Sequence, residues 1–399
     1  MSGVAKELDA ICTQVYSGGT PASKNEAYYG GEIPWLRTQE VTFNRIKDTD
    51  IKITEAGLNN SAAKWVPENS VIVAMYGNSA GRVSINEIPL TTNQACCNLV
   101  VDPQVADYRY VFYALKKSYE ALKGQSRGAA QNNLNASQVK AFKILCPPVN
   151  TQNAIGNILS VYDDLIENNQ RRIQLLEQAA RLLYKEWFVH LRFPGHEHVK
   201  IKDDVPEGWS DGVVSDFYST GSGGTPSRKN PDFYTGEIPW VKTQELTGDF
   251  ITSTDEQITD EAIKRSSAKI YPRHAVLIAM YGATIGQAAI LSVPAATNQA
   301  CCVLTPKERG TSYVHAYLFF CYHKKDLVGL GQGAAQNNVS QQVIKSFRMV
   351  MPRKELLELF LEITSPFFGQ IEILKKTNIS LIIARDLLLP RLMNGEFVV

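Results

Sequence analysis

Two kinds of apolar patterning alternate along this chain. The first is short. Runs such as Val71-Ile72-Val73-Ala74-Met75, and Phe142-Lys143-Ile144-Leu145 ahead of Pro147-Pro148, are set off by Ser17-Gly18-Gly19-Thr20-Pro21 and Pro67-Glu68-Asn69. Short apolar runs bounded by Gly, Pro and Asn predict strands and turns. A helix is predicted from about Tyr108 to Leu122, so the blocks built this way read as α+β. The second kind is long. Ile155, Leu159, Tyr162, Ile166, Asn169, Ile173, Leu176, Ala180, Leu183 and Trp187 follow one another at alternating spacings of four and three. That is a heptad seam, and about 40 residues of it make a helix of roughly 60 Å. Phe193-Pro194-Gly195 closes it. A second seam runs through Phe360, Thr364, Phe367, Ile371, Leu374, Asn378, Leu381, Arg385, Leu388 and Leu392. Pro366 and Pro390 predict a bend or interruption near its ends. Neither helix can hide its stripe alone, so the two are expected to pack on each other. If they run antiparallel with ends aligned, Asn169 and Asn378 fall in one layer, where a buried pair fixes register; two unrelated solvated asparagines are the alternative.

The pattern occurs twice. Ser17-Gly18-Gly19-Thr20-Pro21 returns as Ser222 to Pro226, Gly31-Glu32-Ile33-Pro34-Trp35 as Gly236 to Trp240, and Ala74-Met75-Tyr76-Gly77 as Ala279 to Gly282. Thr92 to Cys97 returns as Thr297 to Cys302, and Gly128 to Asn133 as Gly333 to Asn338, always 205 positions on. Identity is about 40% over about 130 positions, without a gap. A period this long means two whole domains of one fold, which suits a molecule gripping two similar things. The segments are residues 1–148, a first domain; 149–195, a long helix; 196–352, the second domain; and 353–399, the second helix and tail.

Composition narrows the class. The chain of 399 residues has ordinary globular proportions and a net charge of +1, less basic than an independent DNA binder. A DNA-binding reading therefore rests on local cations at Lys24, Arg37, Arg82, Arg127, Arg228-Lys229 and Lys242, with partner subunits sharing the load. No apolar run reaches the roughly 18 residues that span a bilayer, and the N-terminal residues lack a secretory pattern, so a cytoplasmic, non-membrane protein is expected. Seven cysteines include the adjacent pairs Cys96-Cys97 and Cys301-Cys302 but no CxxC, which reads as reduced, core-packed thiols. Phosphate-loop, dinucleotide, nucleophile-elbow and zinc-helix motifs are absent. His196 and His198 have metal spacing without a third ligand, and Cys146-Pro147-Pro148-Val149 lacks the polar and aromatic residues of an amino-methyltransferase site. No catalytic residue and no metal site are assigned.

The chemistry that is present lies in repeated polar islands. Arg37-Thr38-Gln39 matches Lys242-Thr243-Gln244, Asn93-Gln94 matches Asn298-Gln299, and Gln131-Asn132 matches Gln336-Asn337. Arg and Lys suit guanine, while Gln and Asn suit adenine through a paired donor and acceptor. The competing reading is scaffold, because loop Asn and Gln also bond their own backbone. Positions that differ on the same loops are expected to read different bases: Ser79 against Thr284, Arg82 against Gln287, and Arg127 against Gln332.

Several of these stretches resemble the specificity subunit of Type I restriction–modification enzymes. The resemblance rests on SGGTPSRKNPDFYTGEIPWVKTQEL at 222–246, ATNQACCVL at 296–304, GQGAAQNNVS at 331–340, VPEGW at 205–209 and ARDLLLPRLMNGEF at 384–397. The first copy departs from it by lacking a VPEGW-like opening before Leu8. The resemblance implies two target-recognition domains joined by two long antiparallel coiled-coil helices. Each domain would read half of a split site on double-stranded DNA. The helices would set the gap and dock two methylation subunits, which bring S-adenosylmethionine, and restriction/translocation subunits would join them. This chain itself would hold no cofactor and catalyse nothing. Because the copies are so alike, the two half-sites are expected to be related. A recognition subunit of another restriction class, or a protein-binding scaffold, are the alternatives.

Overall fold

The computed structural model describes residues 3–125, 133–307, 311–331 and 338–397. It divides into two compact units, Met1–Ile166 with Leu381–Val399, and Glu167–Ser380. Each unit holds one repeated domain and a portion of each long helix.

The first domain is built on a five-stranded sheet with strands in the order Cys12–Ser17, Cys96–Val101, Val71–Ala74, Val83–Asn86 and Arg45–Ile46. All neighbours are antiparallel except the last pair. A four-stranded sheet follows the order Lys52–Ile53, Tyr29–Leu36, Leu90–Thr92 and Trp65–Val66. The second domain repeats both orders, as Tyr218–Ser222, Cys301–Pro306, Val276–Ala279, Ala288–Leu291 and Phe250–Ile251, and as Gln257–Ile258, Ile238–Val241, Ala295–Thr297 and Ile270–Tyr271. The central strands Val71–Ala74 and Val276–Ala279 are buried at every position, hence their unbroken apolar text. The paired cysteines Cys96-Cys97 and Cys301-Cys302 lie on buried strands, and burial pushes all four thiols up.

The opening strand exists in both copies despite the missing VPEGW text. Val4–Glu7 pairs with Lys143–Cys146 as Ser210–Val213 pairs with Arg348–Met351. VPEGW serves an extra hairpin, Ile201–Lys202 against Val205–Pro206. The helix expected from Tyr108 to Leu122 is two helices, Tyr108–Lys117 and Tyr119–Gly124, broken at Ser118 (φ −90°, ψ 12°). Apolar periodicity runs across the break because both pieces face one core, with Leu115 and Leu122 fully buried.

The first long helix is Val149–Tyr184, continued by a π-helical turn at Lys185–Val189. The second, Lys354–Asn394, runs through Pro366 and Pro390, so of the bend or interruption expected there the interruption does not occur. Each proline forfeits one backbone hydrogen bond, but buried residues bracket both: Thr364 and Phe368 at the first, Leu389 and Leu392 at the second. Every seam position is buried or half-buried. Ile155, Leu159, Ile166, Asn169, Ile173, Ile371, Leu374 and Asn378 are buried, and Tyr162, Leu176, Phe367 and Leu381 half-buried. Within the second unit the helices are antiparallel: Tyr184 and Trp187 pack on Phe360, while the Asn169 amide donates to Asn378 Oδ1 at 2.8 Å. Within the first unit Ile155 and Leu159 share a core with Leu389, Leu392 and Met393, and Arg385 pairs with Asp163.

Candidate nucleic-acid interface

The sheets bring the polar islands to one edge of each domain. Strand Cys12–Ser17 ends where Cys96–Val101 begins, and Val71–Ala74 ends where Val83–Asn86 begins. The loops at 18–20, 37–40, 76–82 and 93–95 therefore lie side by side. Backbone bonds seal them together: Gly19 N to Thr92 O at 2.9 Å, Asn93 N to Leu36 O at 3.0 Å, and Met75 N to Ala95 O at 2.8 Å. The second domain repeats these as Gly224 to Thr297, Asn298 to Val241, and Met280 to Ala300, each at 2.9 Å.

The repeated motifs explain this edge. The indole N–H of Trp35 donates to Gly19 O at 3.0 Å, and that of Trp240 to Gly224 O at the same distance. Tyr29 and Tyr234 each stand edge-on to that tryptophan and donate to Pro21 O and Pro226 O. The loop glycines are forced by crowding: a Cβ at Gly18 or Gly223 would lie 2.1 or 1.8 Å from the carbonyl oxygen of Thr92 or Thr297.

Many matched polar residues are committed to this scaffold. Asn93 and Asn298 accept from the backbone of Ala95 and Ala300. Gln94 accepts from Thr20, and Gln299 from Thr225. Glu40 accepts from the backbone of Arg37 and Asp50, and Glu245 from that of Lys242 and Asp255. The cations differ. Arg37 points at Asp50 and Glu40. Lys242 donates to Glu256 at 2.9 Å, and Arg228 grips the same carboxylate at 2.6 and 3.2 Å while lying over the Tyr234 ring at 4.1 Å. Hydrogen bonds from Arg228 and Lys242 outweigh desolvation and hold Glu256 down at about 2. Glu256 was not singled out from the sequence, because its counterpart is Ile51 and the repeat does not mark it.

The other candidates are exposed or half-buried, and Thr284 and Gln287 among them are hydrogen-bonded. Lys24 and Lys229 are exposed, as are Gln39 and Gln244 beside half-buried Thr38 and Thr243. Ser79 and Thr284 are half-buried in matching turns, and Thr284 Oγ1 donates to Tyr281 O. Arg82 and Gln287 occupy matching half-buried positions. Arg127, Gln131, Asn132, Gln332, Gln336 and Asn337 lie outside the described residues. Two aromatics went unnoticed in the sequence: Tyr76 and Tyr281, 43% and 40% exposed at the tip of the repeated Ala-Met-Tyr-Gly turn. A large side chain left in water at the same place twice is the signal that marks them.

A doubled domain is also what comparison with known proteins finds. The family model for the Type I restriction modification DNA specificity domain matches residues 4–178 and again 206–382. The chain belongs to that family. The Type I restriction enzyme MjaIX specificity subunit of Methanocaldococcus jannaschii is 27% identical over 394 residues, covering 96% of this chain and 91% of that one. The HindI specificity subunit of Haemophilus influenzae is 25% identical, covering 91% and 94%. In fold, the chain is similar to the crystal structure of the Type I restriction–modification S subunit from M. genitalium, with a TM-score of 0.64, 16% identity, and coverage of 98% and 96%. Both family matches contain the loops of the polar edge described above.

Proposed function

We propose that this chain is the sequence-reading subunit of a Type I restriction–modification complex, in which each domain reads one half of a bipartite site on double-stranded DNA. The observation that carries this reading is one loop edge built twice, with matched hydrogen bonds holding it and both shared side chains (Gln39/Gln244) and differing ones (Asn78/Ala283, Arg82/Gln287) on it. A scaffold held rigid while its solvent-facing residues change is what two related half-sites require. The matched exposed pairs Lys24/Lys229 and Gln39/Gln244 favour half-sites that share bases or backbone contacts.

The long helices would set the separation between half-sites and dock two methylation subunits, with restriction/translocation subunits completing the complex. In support, the helices leave apolar side chains in water on the faces away from the seam: Val161, Leu165, Ile382, Ile383 and Leu387 in the first unit, Leu175, Leu182 and Ile373 in the second. The S-adenosylmethionine chemistry would then belong to the methylation subunits, and this chain would be a non-catalytic, cytoplasmic component. No helix among the described residues is long and apolar enough to cross a membrane.

The reading is tested by selecting duplexes from a random-sequence pool with the assembled methylation complex. Two short specified blocks separated by a fixed unspecified gap are expected. Replacing residues 206–352 by 1–148 should convert the second block into a copy of the first. Enrichment of one contiguous block, or assembly without selective binding, would contradict it and favour the scaffold alternative.

A further inference from the structure

Beside the shared edge lies a cleft at which the copies differ in a compensated way. In the first domain it has a volume of about 710 Å³ and is lined by Tyr76, Asn78, Arg82, Tyr119, Lys123 and Asn133. Arg82 is half-buried, and its guanidinium makes no hydrogen bond or ion pair with any described residue. Arg37 and Arg228, by contrast, are both neutralised by carboxylates. A partly desolvated cation without a counter-charge is costly unless a ligand supplies one.

The second domain keeps a cation here but at another position, and Val328 stands where the first domain has Lys123. Arg82 becomes Gln287 and Tyr119 becomes Lys324. The Lys324 ammonium donates to Gln287 Oε1 at 2.6 Å and has no carboxylate partner among the described residues. Both turns carry a positive-φ glycine, Gly81 (φ 84°) and Gly286 (φ 73°), the first lying against Lys123 and the second against Lys324, which is the counterpart of Tyr119. Exposed Tyr76 and Tyr281 stand on the same turns.

This exchange separates two kinds of DNA contact. Reading a base edge depends on donor geometry, as when arginine bonds guanine O6 and N7 together or glutamine pairs with adenine through its oxygen and its NH2. Gln287 Oε1 accepts from Lys324, which holds the amide beside the cation and leaves one of its two acceptor sites for any other donor. Holding a phosphate depends on charge and reach, which either cation supplies. An exchange that keeps a cation on the same turn and helix while changing its donor shape and chain position fits a phosphate better than a base.

We infer that the cleft of the first domain, through Arg82, and the matching turn of the second, through Lys324, each anchor a DNA backbone phosphate, so that these residues position the duplex rather than read it. The inference rests on the DNA-recognition reading above. The test uses the full chain assembled with its methylation subunits, a duplex carrying its site and an equally long unrelated duplex, titrated over a range of salt. Arg82→Gln, which installs the residue the second domain already carries, should weaken binding to both duplexes by the same factor, about five- to tenfold, and lower the slope of log affinity against log salt by about one. Lys324→Gln should do the same. Adding Tyr119→Lys to Arg82→Gln, which rebuilds the second domain's arrangement, should restore most of the affinity and the slope. The methylated sequence should stay unchanged throughout. A changed or relaxed base preference in Arg82→Gln would overturn the inference in favour of base reading. Unaltered affinity and slope would remove the cleft from the interface. A wild-type complex that binds neither duplex would instead overturn the functional reading on which the inference depends.

Discussion

Asn169 and Asn378 put two amides into an otherwise apolar seam of the second unit, bonded to each other at 2.8 Å. Removing one side of a buried hydrogen bond costs more than removing both. Asn169→Leu is therefore expected to lower the stability of that unit by about 1–3 kcal/mol. Asn169→Leu with Asn378→Leu should recover most of this loss while relaxing register. Urea unfolding of both single variants and the double variant checks the coupling, and additive losses would argue against the shared layer. Two other buried groups set the acid response of the same unit. Burial pushes Glu372 up, but hydrogen bonds from Lys376, Ser292 and Arg273 outweigh it and hold the carboxyl at about 2. Its contribution is full above the ordinary carboxyl range near 4.5 and is lost as pH falls toward 2. Burial holds His315 at about 4, so between about 6.5 and 4 the unfolded chain binds a proton that the folded chain refuses, and stability falls as pH is lowered. Thermal midpoints across this range should show both limbs. His315→Phe should flatten the upper one, and Glu372→Gln the lower one while lowering the midpoint at neutral pH. A midpoint constant from pH 7 to 4 in the wild type would contradict the His315 assignment. The repeated polar residues were legible as a set, but not their partners: Thr20 and Gln94 lie 74 positions apart and meet only because two sheets close on one loop.

At the scale of elements, the seams were legible because a heptad is local: each residue's burial depends on its own helix and one neighbour. The break at Ser118 was not, since both helical pieces face the same core and leave no gap in the apolar period. The prolines misled for the opposite reason, because a local rule was overridden by packing at Phe368 and Leu389. The outer faces of the helices carry their own expectation. Ile383 and Leu387 are 54% and 61% exposed, so charging them removes little from the fold. Ile383→Asp with Leu387→Asp should leave the thermal midpoint within a few degrees of wild type and abolish co-elution with the methylation subunits. Retained co-elution would place the docking surface elsewhere.

For the whole molecule, duplication is what turns a binding edge into a bipartite reader. The two domains share strand order, loop glycines, the buried tryptophan and the capping glutamate, and they differ at particular loop positions such as Asn78/Ala283 and Arg82/Gln287. Cation placement varies with it: Arg228 and Lys242 converge on Glu256 in one domain only, and Arg82 gives way to Gln287 with Lys324 beside it. The near-neutral net charge of +1 is consistent with a chain that contacts DNA through a few placed cations and leaves bulk attraction to its partners. The most direct test is genome-wide mapping of methylated adenines in a host that carries the methylation subunits with and without this chain. The account predicts a split motif, two short specified halves around a fixed unspecified gap, that appears only with the chain. Methylation independent of the chain, or confined to one contiguous motif, would contradict it.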